Sequence, residues 1–238
     1  MNRAFIVENL TTILQILGLL CILLIVAHIL YVHLAGRPNV KILQEGPFHL
    51  EDDMQVKITP EKIMKSIDGT EYTISFWLYN RNPPENANWK NEYRKIKGVI
   101  NHELSPTVFF NPEKSELFIQ MGYLDKDEIL QYERVILPMT KQQWQHFVIT
   151  IKDKNVDFYV DSVLEKSVRL PQEHYFSRKN MFLGEKGNQS LLVIANVAWG
   201  QEWSDSGKVR RLYKKQRKLT NINREPDSYV EQLHKRFS

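Results

Sequence analysis

The chain has 238 residues, 42% of them hydrophobic and 25% charged, which is the composition of a globular domain with an appendage and excludes a disordered or collagen-like protein. Its one cysteine, Cys21, excludes an intramolecular disulfide framework and any zinc site built on paired cysteines. The net charge of +4 is unevenly spread: ten of the 32 Lys and Arg lie in residues 207–238 beside three acidic residues, leaving 22 basic against 25 acidic residues before them.

Residues 1–12 form an N-terminal flank to an apolar run, Ile13 to Leu34, interrupted by Gln15, Gly18, His28 and His33. As a helix this run spans about 33 Å, matching a hydrocarbon core of about 30 Å. It is too long for the h-region of a signal peptide and apolar on nearly all sides, so it predicts a retained single-pass transmembrane helix over 13–34 with the lipid bilayer as its partner. Gln15, His28 and His33 sit towards its ends, where polar tips reach the headgroups at little cost. Arg37 and Lys41 follow the run, whereas Arg3 before it is offset by Glu8. The positive-inside rule therefore places the soluble domain on the cytoplasmic side, in agreement with the lack of disulfides.

Gly36-Arg37-Pro38 ends the helix, and residues 35–46 read as a linker to a domain over 47–203. Within 47–59, Met54, Val56 and Ile58 alternate with polar residues as a first strand; 60–67 suits one helical turn before Asp68-Gly69. The run 71–80, EYTISFWLYN, carries bulky residues on both faces and predicts a central strand. Residues 81–95 make a polar loop whose large aromatics, Trp89 and Tyr93, offer a sugar-stacking platform or cap the edge of the domain. Strand-like runs follow at 97–102, 106–110, 116–123 and 129–137. Between Gln143 and Leu170 come three more, Phe147/Ile149/Ile151, Val156/Phe158/Val160 and Leu164/Val168/Leu170, separated by Asp153-Lys154-Asn155 and Asp161-Ser162. They read as an antiparallel meander, and 180–185 and 190–200 add two strands. About a dozen short strands without an intervening long helix predict an all-β sandwich or jelly roll, since each apolar face needs a second sheet.

Residues 204–238 form a basic helical tail. Ser204-Asp205-Ser206 supplies an N-cap for a helix over 207–219, with Val209, Leu212, Tyr213 and Leu219 on one face. Lys208, Arg210, Arg211, Lys214, Lys215, Arg217 and Lys218 surround the rest, suiting an anionic lipid or an acidic partner, or a helix docked on the sandwich with its charges solvated. A second helix is predicted over 227–236.

Three blocks together carry a resemblance: YTISFWLY, WQHFVITIKDKNVDFYVDSVLEKS, and a W-x-x-x-W (Trp199, Trp203) followed by a helix with RRLY. They resemble the concanavalin A-like, laminin G-like jelly-roll superfamily over about residues 47–219, and look closest to membrane-anchored members encoded by large DNA viruses. The resemblance implies a β-sandwich in which Trp144 and His146 match a structural Trp-His pair. Family members usually carry Asp-Gly or Asn-Gly at the hairpin tip, whereas this chain has Asp161-Ser162. Because Ser does not take positive φ freely, a two-residue I′ turn is expected to be avoided there.

Glycoside hydrolases of that superfamily carry paired carboxylates in an E-x-D-x-x-E type arrangement, since acid and nucleophile must flank the sugar bond. The acidic clusters Glu51-Asp52-Asp53 and Asp125-Lys126-Asp127-Glu128 lack that spacing and read as turn residues. No zinc spacing, phosphate loop, nucleophile elbow or EF-hand loop is present, and lectin-type calcium sites, assembled from separate loops, leave no sequence signature. The expectation is therefore a non-enzymatic, membrane-anchored module without a cofactor, binding a protein partner as a structural component. The resemblance implies a virion protein linking a membrane to capsid or core. The alternative is a glycan-binding receptor using Trp89 and Tyr93.

Overall fold

The structure is a computed structural model that describes residues 15–30, 40–50, 55–63, 71–81, 95–186 and 191–219. The chain divides into two compact units, Met1–Arg37 and Pro38–Ser238. In the first, residues 15–30 are helical (α1) and exposed throughout. Among the described residues no helix is long and apolar enough to cross a membrane. The predicted span 13–34 runs past the described helix at both ends.

The second unit is a sandwich of two six-stranded antiparallel sheets. The first has the order β1 (Val40–His49), β12 (Leu192–Gly200), β3 (Glu71–Asn80), β8 (Trp144–Lys152), β9 (Asn155–Val160), β10 (Val163–Arg169). The second runs β2 (Val56–Ile58), β11 (Met181–Leu183), β4 (Lys97–Asn101), β5 (Thr107–Asn111), β6 (Glu116–Leu124), β7 (Leu130–Pro138). A short helix α2 (Pro60–Ile63) follows β2, and α3 (Ser206–Leu219) follows β12. Period-two alternation puts Tyr72, Ile74, Phe76 and Leu78 of β3 into the core with Phe147, Ile149 and Ile151 of β8 and Val156, Phe158 and Val160 of β9. The facing sheet contributes Val99, Val108, Leu117, Ile119, Val135 and Leu137.

The central position predicted for residues 71–80 holds, because β3 lies between β12 and β8. It is buried on both faces because α3 covers the outer one. Val209 packs with Val148 and Tyr159, and Tyr213 with Trp77 and Ala195. The helix starts at an Asp205 cap, whose Oδ1 accepts the Lys208 N–H at 2.7 Å. In β12 the alternation slips by one: Leu192 and Ile194 face the core, then Val197 and Trp199. A bulge between Ala195 and Ala198, with Asn196 at φ 48, absorbs the extra residue.

Two expectations are corrected. Residues 40–46, expected in a linker, belong to β1, which pairs with β12 from Val40↔Gly200 to His49↔Val193. Register shifts between Ile42 and Gln44 and between Gln44 and Pro47 break the alternation that would have revealed the strand. The expected first strand 47–59 is thus divided between the end of β1 and β2, which lie in different sheets. The second correction concerns the hairpin tip. Val160 pairs with Val163, and Asp161 and Ser162 have φ of 49 and 70, so the tip is a two-residue turn of the I′ kind. Its conformation is held from the neighbouring strand: Asp161 Oδ1 accepts the His146 N–H at 2.9 Å, and the Asp161 N–H donates to the His146 carbonyl at 2.8 Å.

Candidate functional site

Two places on the sandwich gather polar side chains from distant parts of the chain. The first is a cleft of about 500 Å³ walled by three connections: Leu124, Asp125 and Lys126 after β6, Lys154 between β8 and β9, and Gln172 to Phe176 between β10 and β11. Its walls are braced. Asp125 Oδ1 accepts the N–H groups of Asp127 and Ile129, both at 2.9 Å, and Oδ2 accepts from Gln131 at 3.1 Å. These bonds, the Ile129 N–H foremost, hold the Asp125 carboxyl below its usual range. Lys154 Nζ donates to the Pro171 carbonyl and to Gln172 Oε1, each at 3.3 Å.

Beneath the cleft lies a buried network. His174 Nε2 is 2.5 Å from the Tyr72 hydroxyl and 3.3 Å from Ser105 Oγ, and Tyr72 stacks on Trp199 with ring centroids 4.4 Å apart. His102 Nδ1 lies 2.7 Å from the Ser105 carbonyl; a carbonyl only accepts, so this nitrogen carries the proton. Burial pushes His174 down to about 3, against the opposing pull of the Gly122 carbonyl, and likewise lowers His102. Burial raises the Tyr72 phenol, so it keeps its proton. Ser105 has no exposed surface. A separate ion pair lies beside Tyr175, whose hydroxyl donates to Glu103 Oε2 at 3.3 Å: Glu103 binds Lys179 and accepts from Ser177 Oγ at 2.9 Å. The Lys179 hydrogen bond leads the groups that depress the Glu103 carboxyl.

The second place is the interface under α3. Gln216 is buried there, and its Oε1 accepts Trp77 Nε1–H at 3.1 Å and lies 2.9 Å from His146 Nε2. An indole N–H can only donate, so the atom facing it is the amide oxygen, and His146 must carry its proton on Nε2. Gln216 Nε2 in turn donates to Ser75 Oγ at 3.0 Å. Burial depresses His146 to about 3.

Of the residues singled out from sequence, Trp89 and Tyr93 lie outside the described residues, as do Glu51-Asp52-Asp53 and the predicted helix 227–236. Arg210, Arg211, Lys214, Lys215, Arg217 and Lys218 are exposed on α3, and Lys208 is half-buried with an ion pair to Glu202 at 3.4 Å. The docked reading of that helix therefore holds for its apolar face. Trp144 is half-buried against Tyr79, and His146 is wholly enclosed, so both are structural. Sequence reasoning missed the meeting of His102, Ser105 and His174 with Tyr72, and it missed Gln216. The latter had a signal: it falls on the Val209/Leu212 stripe at helical spacing, and a polar residue there marks a buried hydrogen bond. Among the described residues no three His, Cys, Asp or Glu side chains cluster as a metal site.

A laminin G family model, described as the concanavalin A-like lectin/glucanases superfamily, matches residues 52–193. The chain belongs to that superfamily. Its concanavalin A-like fold is shared, at low identity, with receptor-binding domains of botulinum neurotoxins. The botulinum neurotoxin serotype D ligand binding domain, solved in complex with N-acetylneuraminic acid, is 13% identical with a TM-score of 0.56, covering 75% of this chain and 46% of that one. The receptor binding domain of the C/D mosaic serotype is 14% identical with a TM-score of 0.56, again over 75% and 46%. This concanavalin A-like chain thus spans under half the length of the solved domains it matches. No curated protein matches it in sequence.

Proposed function

We propose that this chain is a non-enzymatic binding module held at a membrane, with residues 13–34 as its anchor and the loop-end cleft as its contact surface. The observation that carries the reading is the construction of the cleft. Three connections are braced by hydrogen bonds around an open volume of about 500 Å³, over a floor whose titratable groups are buried. His174, pushed to about 3, stays neutral at physiological pH, which suits a rigid recognition surface better than proton transfer. The partner is a protein, and the viral resemblance supports the specific form of a virion component joining a membrane to capsid or core. The sandwich faces the cytoplasm in this account, from the positive residues after the anchor. The test is twofold: the full chain should stay with membranes through alkaline carbonate, and it should be present in purified particles. Release by carbonate sinks the anchor, and absence from particles sinks the virion form.

Glycan binding is the second reading, and a specific observation favours it. Tyr175 and Phe176 line the cleft beside Asp125, Lys126 and Gln172, a mixture of aromatic and polar residues of the kind small-ligand sites use. One similar domain was solved with N-acetylneuraminic acid. A glycan array probed with and without calcium decides it: binding to no glycan in either condition removes this reading and leaves the protein partner.

A further inference from the structure

We propose that the outward face of α3 rests on anionic lipid headgroups of the same bilayer that holds the N-terminal segment. This inference rests on the anchor reading and adds a second, electrostatic contact to it. Ser206–Leu219 holds seven Lys and Arg and no acidic residue. Val209, Leu212 and Gln216 are buried against the sandwich, which fixes the rotation of the helix about its axis. At 3.6 residues per turn the cations then spread over about half of the circumference, on the side turned away from the sheet. Arg210, Arg211, Lys214, Lys215 and Lys218 are all exposed there. Docking has thus gathered a basic stretch onto one outward side of the helix.

The position of that array selects its partner. The chain enters the sandwich at Val40, which pairs with Gly200, and α3 begins six residues after Gly200. Thr73, also paired with Gly200, holds the intervening turn by donating from Oγ1 to the Glu202 carbonyl at 2.7 Å. The point where the polypeptide arrives from the apolar segment and the start of the basic helix therefore share one end of the same sheet. Five residues, 35–39, lie between the end of the proposed anchor at Leu34 and Val40, with at most about 3.5 Å of reach each, which caps the covalent distance from anchor to sheet. Cytoplasmic leaflets carry the anionic lipids, which agrees with the orientation read from the flanking charges. A single-stranded nucleic acid fits less well, because such sites interleave cations with exposed aromatic platforms, and the one aromatic of α3, Tyr213, is stacked on Trp77 with centroids 5.3 Å apart.

The test uses the full chain in nanodiscs of phosphatidylcholine alone or with about 30% phosphatidylserine. A fluorophore is placed at Lys214→Cys in a Cys21→Ser background, with a nitroxide quencher on the lipid headgroups. Quenching should rise at least about threefold in the anionic discs and vanish near 1 M salt, where the Debye length falls to about 3 Å. It should also vanish when Arg210→Glu, Arg211→Glu and Lys215→Glu are combined, exposed positions whose reversal leaves the docked face intact. Equal quenching in both discs overturns the inference, as does retention on nucleic acid without any dependence on lipid charge. Alkaline carbonate separates the two levels of failure. Release of the chain from the discs would overturn the anchor and this inference with it, whereas retention with charge-independent quenching overturns this inference alone.

Discussion

Replacing Gln216 probes how α3 is held. Its amide oxygen is the acceptor for Trp77 Nε1–H and His146 Nε2–H, and its nitrogen donates to Ser75 Oγ. Gln216→Leu keeps most of the volume and removes all three bonds. Ser75 can rotate its hydroxyl, but the indole and imidazole N–H groups stay buried without an acceptor. At about 1–3 kcal/mol for each of the two orphaned donors, the loss is about 2–6 kcal/mol, a large part of the 5–15 kcal/mol typical of a domain. Urea unfolding followed by tryptophan fluorescence reads the change directly, because Trp77 lies in the affected network. The His146 Nε2–H proton resonance should shift or disappear in the same variant. A loss below about 0.5 kcal/mol would refute the reasoning, since it would mean that water or a rearranged side chain replaces Gln216 at no cost.

Acid should destabilise the sandwich well before its carboxylates titrate. His146 and His174 are each pushed from an ordinary 6.5 to about 3 by burial, so between those values the unfolded chain binds protons that the folded one refuses. Stability from these two groups is complete above pH 6.5 and falls towards pH 3, by about 3–4 kcal/mol between pH 7 and 5; a flat urea midpoint over that interval contradicts the assignment. Ser162→Gly relieves a positive φ of 70 and should stabilise by up to about 1 kcal/mol in thermal unfolding, whereas Asp161→Ala, which loses the bond to the His146 N–H, should destabilise. Gly122→Ala brings a Cβ within 2.9 Å of Leu104 Cβ and 3.2 Å of its carbonyl, so it should cost about 1–3 kcal/mol and disturb the cleft wall; unchanged stability would show that Leu104 yields freely.

The sheets were readable where alternation is unbroken. Phe147/Ile149/Ile151 and Val156/Phe158/Val160 face the core as their spacing requires, and they anchor both the fold and its family resemblance. Alternation fails where the backbone slips: β1, with two register shifts and Gly46 at φ 69, looked like a linker because no single face of VKILQEGPFH is consistently apolar. The hairpin tip went the other way. Local preference argued against positive φ at Ser162, and two hydrogen bonds between Asp161 and the His146 backbone outweighed it. The floor of the cleft had no sequence signal. Tyr72 and His174 stand 102 residues apart, and only the pairing order of the sheets brings them together. The basic face of α3 was visible as composition, and the side it turns outward became visible only with Val209, Leu212 and Gln216 buried beneath it.

Contact between the cleft and a partner at the membrane is open to a direct test. A photo-crosslinking residue at Lys126, on the cleft wall, should trap a discrete protein or glycoconjugate when the full chain sits in its native membrane, whereas one at the exposed Lys114 should not. The adduct should diminish when Lys154→Glu alters the part of the wall between β8 and β9. Equal, diffuse labelling from both positions would contradict the reading of this cleft as the place where the chain binds.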